Sequence, residues 1–363
     1  MFELIFLIAL FLYTLQSILF VLGVRKKFPR LNDSELPTAT VIVAARNEEK
    51  NILRCLKSLN NLEYPDNKLE IIIVDDRSDD NTGKLIDEYI HGKPVFKKIV
   101  TKQAIGGLKG KTNALANAIE IAKGEIILTT DADCAVAPTW AKTIASFYTK
   151  DVAMVFGFTS QTWDTNFSGM QNLDFVYLLT VAAGTINFDK PLSCIGNNMS
   201  YRKNIYREVG GYENLPFSVT EDFNLLFAIY KLNKYKIIYP LDVNAHVVSL
   251  PCSTFKELYR QKKRWGVGGL KSPLRGYLVM TSGFLTHVGF LLSPFFFSIN
   301  VLGLLVFKLL VDFGFLLYPL QKLKIKNSLK HFIAFEFYYI IYVVALPFIV
   351  IFNKKVKWKG REY

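Results

Sequence analysis

The chain has 363 residues, a formal net charge of +13 and a hydrophobic share of 51%. The basic residues lie beside hydrophobic segments, as in "VRKKFPR" and "NKKVKWKGREY". Anionic lipid and membrane topology favour that placement, so the charge does not predict nucleic-acid binding. The four cysteines form no CxxC pair, which suits a reduced cytoplasmic domain.

The N-terminal segment predicts a membrane anchor over residues 1–24. Residues 4–24 carry no charge and are long enough to cross a bilayer of about 30 Å. A cleaved signal peptide is the alternative, but the segment lacks a basic n-region and a small-residue cleavage site. Because Arg25, Lys26 and Lys27 follow at once, the positive-inside rule places the next part of the chain in the cytoplasm.

Residues 38 to about 130 alternate between strand and helix patterns. The alternation predicts an α/β fold with a parallel sheet covered by helices on both faces. The predicted strands are 38–45, 69–76, 96–101 and 125–133, and the predicted helices are 48–61, 79–90 and 111–124. We expect Gly124 to end the last of these helices.

Polar residues follow three of the predicted strands. In open α/β sheets ligands bind outside the carboxyl ends of the strands, so these residues predict one ligand site at that edge. They are Arg46, Asn47 and Glu48 after the first strand, Asp75 and Asp76 after the second, and Asp131 and Asp133 after the fourth.

Two other nucleotide-binding patterns are incomplete. The segment "IGGLKGKT" (105–112) resembles a P-loop, but Ile105 stands where the motif needs glycine, which argues against an ATPase. The first strand runs into "AARNEE" rather than G-x-G-x-x-G, so a dinucleotide fold is not supported.

The acids after the fourth strand predict a cation and diphosphate site. At i and i+2 on a strand, Asp131 and Asp133 would point the same way and hold a hard divalent cation, Mg²⁺ or Mn²⁺, together with diphosphate oxygens. Lys109 and Lys111 would help to neutralise the diphosphate. Asp75 and Asp76 would face the base or ribose of a nucleotide.

Two later segments carry polar groups at helix positions. In "FSVTEDFNL", Glu221 and Asp222 precede an apolar helix pattern, and capping by Thr220 or Asp222 is the alternative to a chemical role. "STFKELYRQKKRWG" predicts a helix that begins with the capping box of Thr254 and Glu257 and ends at Gly266.

Three side chains share one face of that second helix. Gln261, Arg264 and Trp265 are spaced i, i+3 and i+4, which suits gripping a diphosphate and stacking a sugar. The alternative is a basic amphipathic helix lying on the membrane, which is also the interpretation of Lys262 and Lys263.

The C-terminal part is apolar again. Residues 277–320 predict two crossings, and residues 331–352 predict a third hydrophobic element after the basic loop "QKLKIKNSLKH". Lys308 and Asp312, four apart, would pair across one helical turn. Three crossings would put the basic tail outside, so either the positive-inside rule fails there or residues 331–352 re-enter.

The ordered motifs resemble those of membrane-bound family 2 glycosyltransferases with a GT-A fold. They are "VAARNEE", "VDDRSDD", "LKGKTNAL", "TDADC", "TED" and "QKKRW", over about residues 38 to 275. The ending "KWKGREY" is similar to that of ceramide glucosyltransferase-like members, although a solvated basic tail is the alternative.

The resemblance implies a role for individual residues. Asp76 corresponds to the base-contacting acid, with Asp75 beside it, and Asp222 to the general base. Asp131 and Asp133 correspond to the metal and diphosphate acids. Gln261, Arg264 and Trp265 correspond to the set that closes over the diphosphate and the acceptor end, while "IGNNMSYRK" suggests Asn197 and Asn198 as acceptor-side residues.

The expected protein is an integral, multi-pass membrane enzyme with a cytoplasmic catalytic domain. It would be an inverting, metal-dependent transferase that moves a sugar from a nucleotide-diphospho-sugar, with a UDP-sugar expected, to a lipid or lipid-linked acceptor. A processive polysaccharide synthase is the alternative enzyme, and a non-catalytic membrane scaffold the alternative from another class. The expected parts are an anchor (1–24), a Rossmann-like GT-A domain (38–250), an interface helix (251–275), a transmembrane region (276–352) and a basic tail (353–363).

Overall fold

The computed structural model describes every residue except 102, 103, 217, 219, 356, 359, 360 and 363. Two compact units are built from interleaved parts of the chain. The helical unit comprises Met1–Arg25, Gln161–Ser193 and Pro251–Tyr363, and the sheet unit comprises Lys26–Ser160 and Cys194–Leu250. The linear division expected from the sequence places residues 161–193 in the 38–250 domain, whereas here they pack with the helical unit.

Twelve α-helices and twelve β-strands are found in the described residues. The helices are α1 (Phe2–Val24), α2 (Ile52–Asn60), α3 (Thr82–Ile90), α4 (Lys111–Ile121), α5 (Trp140–Ser146), α6 (Asn166–Asn187), α7 (Lys203–Glu208), α8 (Glu221–Lys231), α9 (Phe255–Gly269), α10 (Leu274–Leu292), α11 (Ile299–Lys322) and α12 (Phe332–Phe352). The strands are β1 (Ala39–Ala45), β2 (Leu69–Asp75), β3 (Phe96–Val100), β4 (Ile126–Asp131), β5 (Ala135–Val136), β6 (Val152–Phe156), β7 (Thr159–Gln161), β8 (Met199–Arg202), β9 (Lys236–Ile238), β10 (Val247–Ser249), β11 (Lys357–Trp358) and β12 (Arg361–Glu362).

A seven-stranded sheet in the order β3-β2-β1-β4-β8-β6-β9 forms the centre of the sheet unit. β1 pairs in parallel with β2 and β4, and β2 pairs in parallel with β3, which confirms the predicted parallel arrangement. Only β8 runs against its neighbours β4 and β6. A second sheet has the order β5-β10-β7.

The strands form where apolar, largely β-branched residues follow one another, because such residues favour a doubly covered parallel sheet. Val41 and Val43 of β1 are fully buried in one core. Ile52 and Leu56 of α2 belong to the same core, at the helical spacing expected from the sequence.

Gly124 does not end the predicted helix. α4 ends at Ile121, followed by Ala122 in an extended conformation. Gly124 lies against β1 instead, where a Cβ atom would come within 2.6 Å of the Ala39 carbonyl carbon. The glycine is therefore explained by a close approach to the strand and not by a helix cap.

Four helices of the described chain are long and apolar enough to cross a membrane: Phe2–Val24, Leu274–Phe296, Ile299–Lys322 and Lys326–Phe352. These segments match the predicted anchor, the two predicted crossings and the further hydrophobic element. The predicted pair of Lys308 and Asp312 is present, with 2.7 Å between Nζ and Oδ2. Lys308 also pairs with Glu336 of α12, and Tyr13 of α1 donates to Asp312.

α6 also belongs to the helical unit, and the sequence pattern gave no sign of it. Its residues are buried on nearly every side, so it lacks the one-sided apolar stripe that marks an amphipathic helix. α6 lies very close to α1, since a Cβ atom on Gly184 would come within 2.5 Å of the Phe20 Cα. Small residues permit such close approaches between helices.

α9 begins as predicted and ends later. Thr254 Oγ1 accepts from the Glu257 backbone N–H, 3.2 Å away. The helix continues through Gly266 to Gly269, three residues beyond the predicted end. At Gly266 a Cβ atom would come within 2.8 Å of the Val350 side chain, so packing against α12 accounts for this glycine.

The chain ends in an antiparallel pair, β11 and β12. The predicted ceramide glucosyltransferase-like ending falls partly on residues 359, 360 and 363, which lie outside the described residues.

Candidate functional site

The carboxyl ends of β1, β2 and β4 meet at one edge of the sheet, as the sequence predicts. Asp75, the last residue of β2, pairs in register with Ala45 of β1. Asp131, the last residue of β4, pairs in register with Ala44. Adjacent strands lie about 4.8 Å apart, so the two acids flank the end of β1.

The loops that follow β1 and β2 are tied together by hydrogen bonds. Arg46 donates from Nη1 to the Asp76 carbonyl oxygen, 3.2 Å away. The Asn47 backbone N–H donates to Ser78 Oγ (3.1 Å), and Asn47 Oδ1 accepts from the Asp79 N–H (2.9 Å). Asn47 has a φ of 54°, in the left-handed region that asparagine tolerates. These contacts give Arg46 and Asn47 a role in shaping the loops.

The two acids at the end of β2 differ in their surroundings. Asp75 is buried, and its Oδ1 accepts from the Ser78 N–H, 2.9 Å away. A Cβ atom on Gly83 would come within 2.6 Å of the other Asp75 oxygen, so this carboxylate lies between the loop after β2 and the start of α3. Asp76, the next residue, is also buried and is the acid that the resemblance assigns to base contact.

Glu48 takes part in the start of α2. Its backbone N–H donates to Thr82 Oγ1 (2.7 Å), and its Oε2 accepts from Asn51 Nδ2 (2.9 Å). The Glu48 carboxylate is thus engaged within the protein, like that of Asp75.

Lys111 links the fourth strand to the "TED" segment. It is the first residue of α4 and follows Gly110, whose φ is 58°. The Lys111 Nζ lies 2.7 Å from Asp131 Oδ1 and 3.3 Å from Glu221 Oε1. Burial acts to lower the pKa of Lys111, but the carboxylates of Asp131 and Glu221 outweigh it and raise the pKa. The Lys111 side chain is therefore charged at neutral pH, and its ion pairs bring the predicted motifs "TDADC" and "TED" together.

Asp133 does not lie on the strand, contrary to the prediction. β4 ends at Asp131, and a turn follows in which the Cys134 N–H donates to the Asp131 carbonyl oxygen, 3.0 Å away. Arg54 Nη1 donates to the Asp133 carbonyl oxygen (2.8 Å) and so anchors the turn. The strand-alternation argument for a common direction of the two carboxylates therefore does not apply, and a turn carries the second acid.

The residues present fit a divalent-cation site whose remaining ligands come from the substrate. In the described residues no group of three or more His, Cys, Asp or Glu side chains is placed to hold a metal alone. Two partly exposed carboxylates, Asp131, which pairs with Lys111, and Asp133, lie at the edge of the sheet. Mg²⁺ is often bound by one or two carboxylates plus substrate phosphates, and this donor set agrees with that mode.

Asp222 is the second residue of α8, where an acid also favours the positive end of the helix dipole, so the helix-start alternative to a chemical role stays open. Thr220 precedes the helix without a side-chain cap hydrogen bond. Asp222 Oδ1 accepts from the N–H of its neighbour Phe223, 2.9 Å away. A Cβ atom on Gly196 would come within 3.3 Å of Asp222 Oδ2, so this carboxylate lies against the segment that precedes β8.

Asn197 and Asn198 are buried and bonded inside the sheet unit. Asn198 Oδ1 accepts from Trp140 Nε1 (2.9 Å), and its Nδ2 donates to the carbonyl oxygens of Phe158 (2.9 Å) and Ala245 (3.0 Å). Asn197 Oδ1 accepts from Thr159 Oγ1, 3.0 Å away. Both N–H groups of the Asn198 amide are used within the protein, so these contacts give that side chain a structural role and do not support its predicted place in the acceptor cleft.

The remaining predicted residues lie elsewhere. Lys109 is exposed in the segment before α4. Gln261, Arg264 and Trp265 lie on α9, in the helical unit, where the Trp265 ring stacks on Phe175 with 5.8 Å between centroids.

The prediction that Lys262 and Lys263 lie on a membrane surface is wrong. Both are buried, and Lys262 pairs with Asp174 of α6. Sequence reasoning missed Asp174, although a single acid in the apolar stretch "GMQNLDFVYLL" was a signal, because such acids are seldom buried without a partner.

Comparison with known proteins identifies two overlapping families. Residues 40–210 match Glycosyl transferase family 2, and residues 126–352, more than half of the chain, match Glycosyl transferase family group 2.

Two relatives and one solved structure illustrate the similarity. The probable glycosyltransferase YdaM of Bacillus subtilis is 29% identical over 251 residues, which cover 66% of this chain and 57% of that protein. A beta-monoglucosyldiacylglycerol synthase of Nostoc sp. is 28% identical over 278 residues, which cover 72% of this chain and 56% of that protein. The chain thus spans little more than half the length of both relatives. The mannosyltransferase PcManGT of Pyrobaculum calidifontis, solved with GDP-Man and Mn²⁺, has a TM-score of 0.59 at 18% identity, covers 92% of this chain and 98% of its own, and shares the GT-A fold.

Proposed function

Because the chain belongs to Glycosyl transferase family group 2, we propose that it is an inverting, metal-dependent glycosyltransferase. It moves a sugar from a nucleotide-diphospho-sugar, with a UDP-sugar as the expected donor, to a lipid or lipid-linked acceptor at the cytoplasmic face of the membrane.

The contact made by Lys111 is the observation that carries the proposal. One ammonium joins Asp131, at the end of β4, to Glu221, at the start of α8, within 3.3 Å. The helix N-terminus at Lys111 adds partial positive charge, which suits a diphosphate. Binding of a diphosphate there gives the Lys111 ammonium a new anionic partner beside Asp131 and Glu221.

In this proposal Asp131 and Asp133 would hold Mg²⁺ or Mn²⁺ together with oxygens of the diphosphate. When bound, the cation supplies charge neutralisation for the departing nucleoside diphosphate. Asp76 binds the base or ribose, and the loops shaped by Arg46 and Asn47 enclose that end of the donor.

Asp222 is the proposed general base. As the acceptor hydroxyl attacks the anomeric carbon in line with the leaving diphosphate, the Asp222 carboxylate takes the hydroxyl proton. A single in-line attack inverts the configuration at the anomeric carbon. Arg264 of α9 stabilises the departing diphosphate, and Gln261 and Trp265 bind the diphosphate and the acceptor end.

A lipid acceptor is favoured by the four apolar helices and by the relative from Nostoc, whose name describes synthesis of a glucosyldiacylglycerol. An acceptor that resides in the bilayer suits an enzyme whose own helices are long and apolar enough to cross a membrane.

The test is a transfer assay with the full chain in membranes. Labelled UDP-glucose, UDP-N-acetylglucosamine and GDP-mannose are each supplied with Mg²⁺, with Mn²⁺ and with EDTA, and products are separated by solvent extraction. We expect label in the lipid phase, dependence on the cation and loss in EDTA. Asp133→Ala is the inactive control, since it removes one proposed ligand from a turn without disturbing β4.

Two results would contradict the proposal in different ways. Label in high polymer would indicate a processive polysaccharide synthase. Full activity in EDTA would show that Asp131 and Asp133 do not act through a metal.

A further inference from the structure

Residues on one face of α6 contact α9 and the segment that leads into it. The Phe167 and Phe255 rings lie 4.5 Å apart at the start of α9. Four residues further along α6, Gln171 Nε2 donates to the Cys252 carbonyl oxygen (3.1 Å), and its Oε1 accepts from the Cys252 N–H (2.9 Å). The Gln171 side chain therefore clamps the backbone that leads into α9.

Asp174 lies on the same face and makes a buried ion pair. The spacing of residues 167, 171 and 174 is i, i+4 and i+7, which places them along one side of a helix. Lys262 of α9 donates to Asp174 Oδ2, and both side chains are almost fully buried. The Tyr338 hydroxyl lies 3.4 Å from the same Asp174 oxygen. Burial raises the pKa of Asp174, and the Lys262 ammonium opposes that shift.

The Lys262 ammonium also contacts aromatic rings. Its Nζ lies 4.4 Å from the centroid of the Trp265 ring and 5.0 Å from that of Tyr342. Trp265 in turn stacks on Phe175, the α6 residue next to Asp174. Asp174 and Phe175 thus hold Lys262 and Trp265, which are three apart on one face of α9.

A buried ion pair is a costly way to attach two helices. Apolar side chains of similar volume hold such surfaces together equally well or better, since two charges lose their hydration on burial. What the pair adds is a defined direction: the ammonium must face the carboxylate and the two rings at once, which permits one rotation of α9.

We propose that Asp174 and Lys262 are positioning residues, whose buried ion pair sets the rotation of α9 and thereby the directions of Arg264 and Trp265. The inference rests on the proposed function, in which those two side chains bind the diphosphate and the acceptor end. It also predicts a change in the surroundings of the Trp265 ring that can be measured without substrate. An experiment can therefore contradict either proposal independently of the other.

The experiment uses the full chain in detergent, labelled with 5-fluorotryptophan. The ¹⁹F resonance of Trp265 is identified by its loss in Trp265→Phe. Wild type is compared with Asp174→Asn, Lys262→Met and the double variant. The measurements are thermal stability, the position of the Trp265 resonance, and kcat and KM. The donor is whichever of UDP-glucose, UDP-N-acetylglucosamine and GDP-mannose the wild type uses. Lys256→Met removes the same charge from an exposed site on α9 and is the matched control.

Each single variant should melt at a lower temperature, because one buried charge has lost its partner. The double variant should recover the melting temperature while kcat stays about 10²-fold low, as expected when catalytic groups are misplaced by about 1 Å. The Trp265 resonance should move in Asp174→Asn, which keeps the Lys262 ammonium beside the ring. The control variant should remain close to wild type in all of these measurements.

A merely structural pair predicts a different outcome. If the double variant recovers kcat together with its stability, the proposal is overturned. It is also overturned if the Trp265 resonance does not move in Asp174→Asn, which keeps the Lys262 ammonium beside the ring. An absence of transfer by wild type contradicts the proposed function alone, since the resonance still tests the positioning.

Discussion

Asp222 is the residue at which binding and chemistry can be separated. Asp222→Asn should keep its melting temperature, because the Phe223 N–H can still donate to the amide oxygen. It should also keep its nucleotide affinity, which we assign to other residues. Transfer should fall about 10²- to 10⁴-fold, since an amide cannot accept the acceptor proton. Calorimetry with UDP and the transfer assay measure the two effects.

The matched control for Asp222→Asn is Asp151→Asn, which alters an exposed pair with Lys236 worth little stability. Near-wild-type turnover in Asp222→Asn would leave the proposed mechanism without its base.

Single residues also show which predictions a sequence supports. The type and order of Lys111, Asp131 and Glu221 indicated an anionic ligand site, and the structure brings these three together. The resemblance assigned Asn198 to the acceptor cleft, and the helix pattern assigned Lys262 to the membrane surface, yet both side chains are directed inward and bonded within the protein. Side-chain direction depends on packing against residues far away in the chain, which a local motif does not contain.

At the scale of elements, the contact between α1 and α6 depends on small residues. Gly184→Ala should lower the melting temperature in detergent, since its Cβ would lie 2.5 Å from the Phe20 Cα and overpacking of this kind costs about 1–3 kcal/mol. Gly314→Ala is the control, because no atom outside the adjoining backbone of its own helix lies within 4 Å of its Cβ position. Alanine favours a helix over glycine, so that variant should melt at the same temperature or higher. Equal melting temperatures for both variants would contradict the close packing of α1 on α6.

Elements were predictable where their own pattern decided them. The first four strands and their helices follow from apolar runs and helical spacing. α6 was missed because it is buried on nearly all sides. Gly124 and Gly266 were predicted as helix ends, but each is a glycine because a neighbouring element leaves no room for a Cβ atom. Burial on all sides and tertiary close approach leave no periodic trace in the local sequence.

For the whole molecule, the sequence predicted a parallel α/β sheet and apolar terminal helices, but not how the chain divides. Residues 161–193 join the helical unit from within the part expected to be one domain. The antiparallel strand β8 was likewise not foreseen, since its pairing with β4 and β6 joins distant segments. Long-range pairing is set by the assembled sheet and not by the strand's own residues.

The last prediction concerns the membrane topology of the chain. With Arg25 and Lys26 in the cytoplasm, four crossings leave Lys324, between α11 and α12, on the cytoplasmic side, as the positive-inside rule requires. The same four crossings place Lys355 outside, on the side of the N-terminus, against that rule. In sealed right-side-out vesicles an impermeant maleimide should therefore label Lys355→Cys but not Lys57→Cys, an exposed position on α2. Protection of Lys355→Cys would mean that α12 re-enters, and labelling of Lys57→Cys would reverse the proposed orientation.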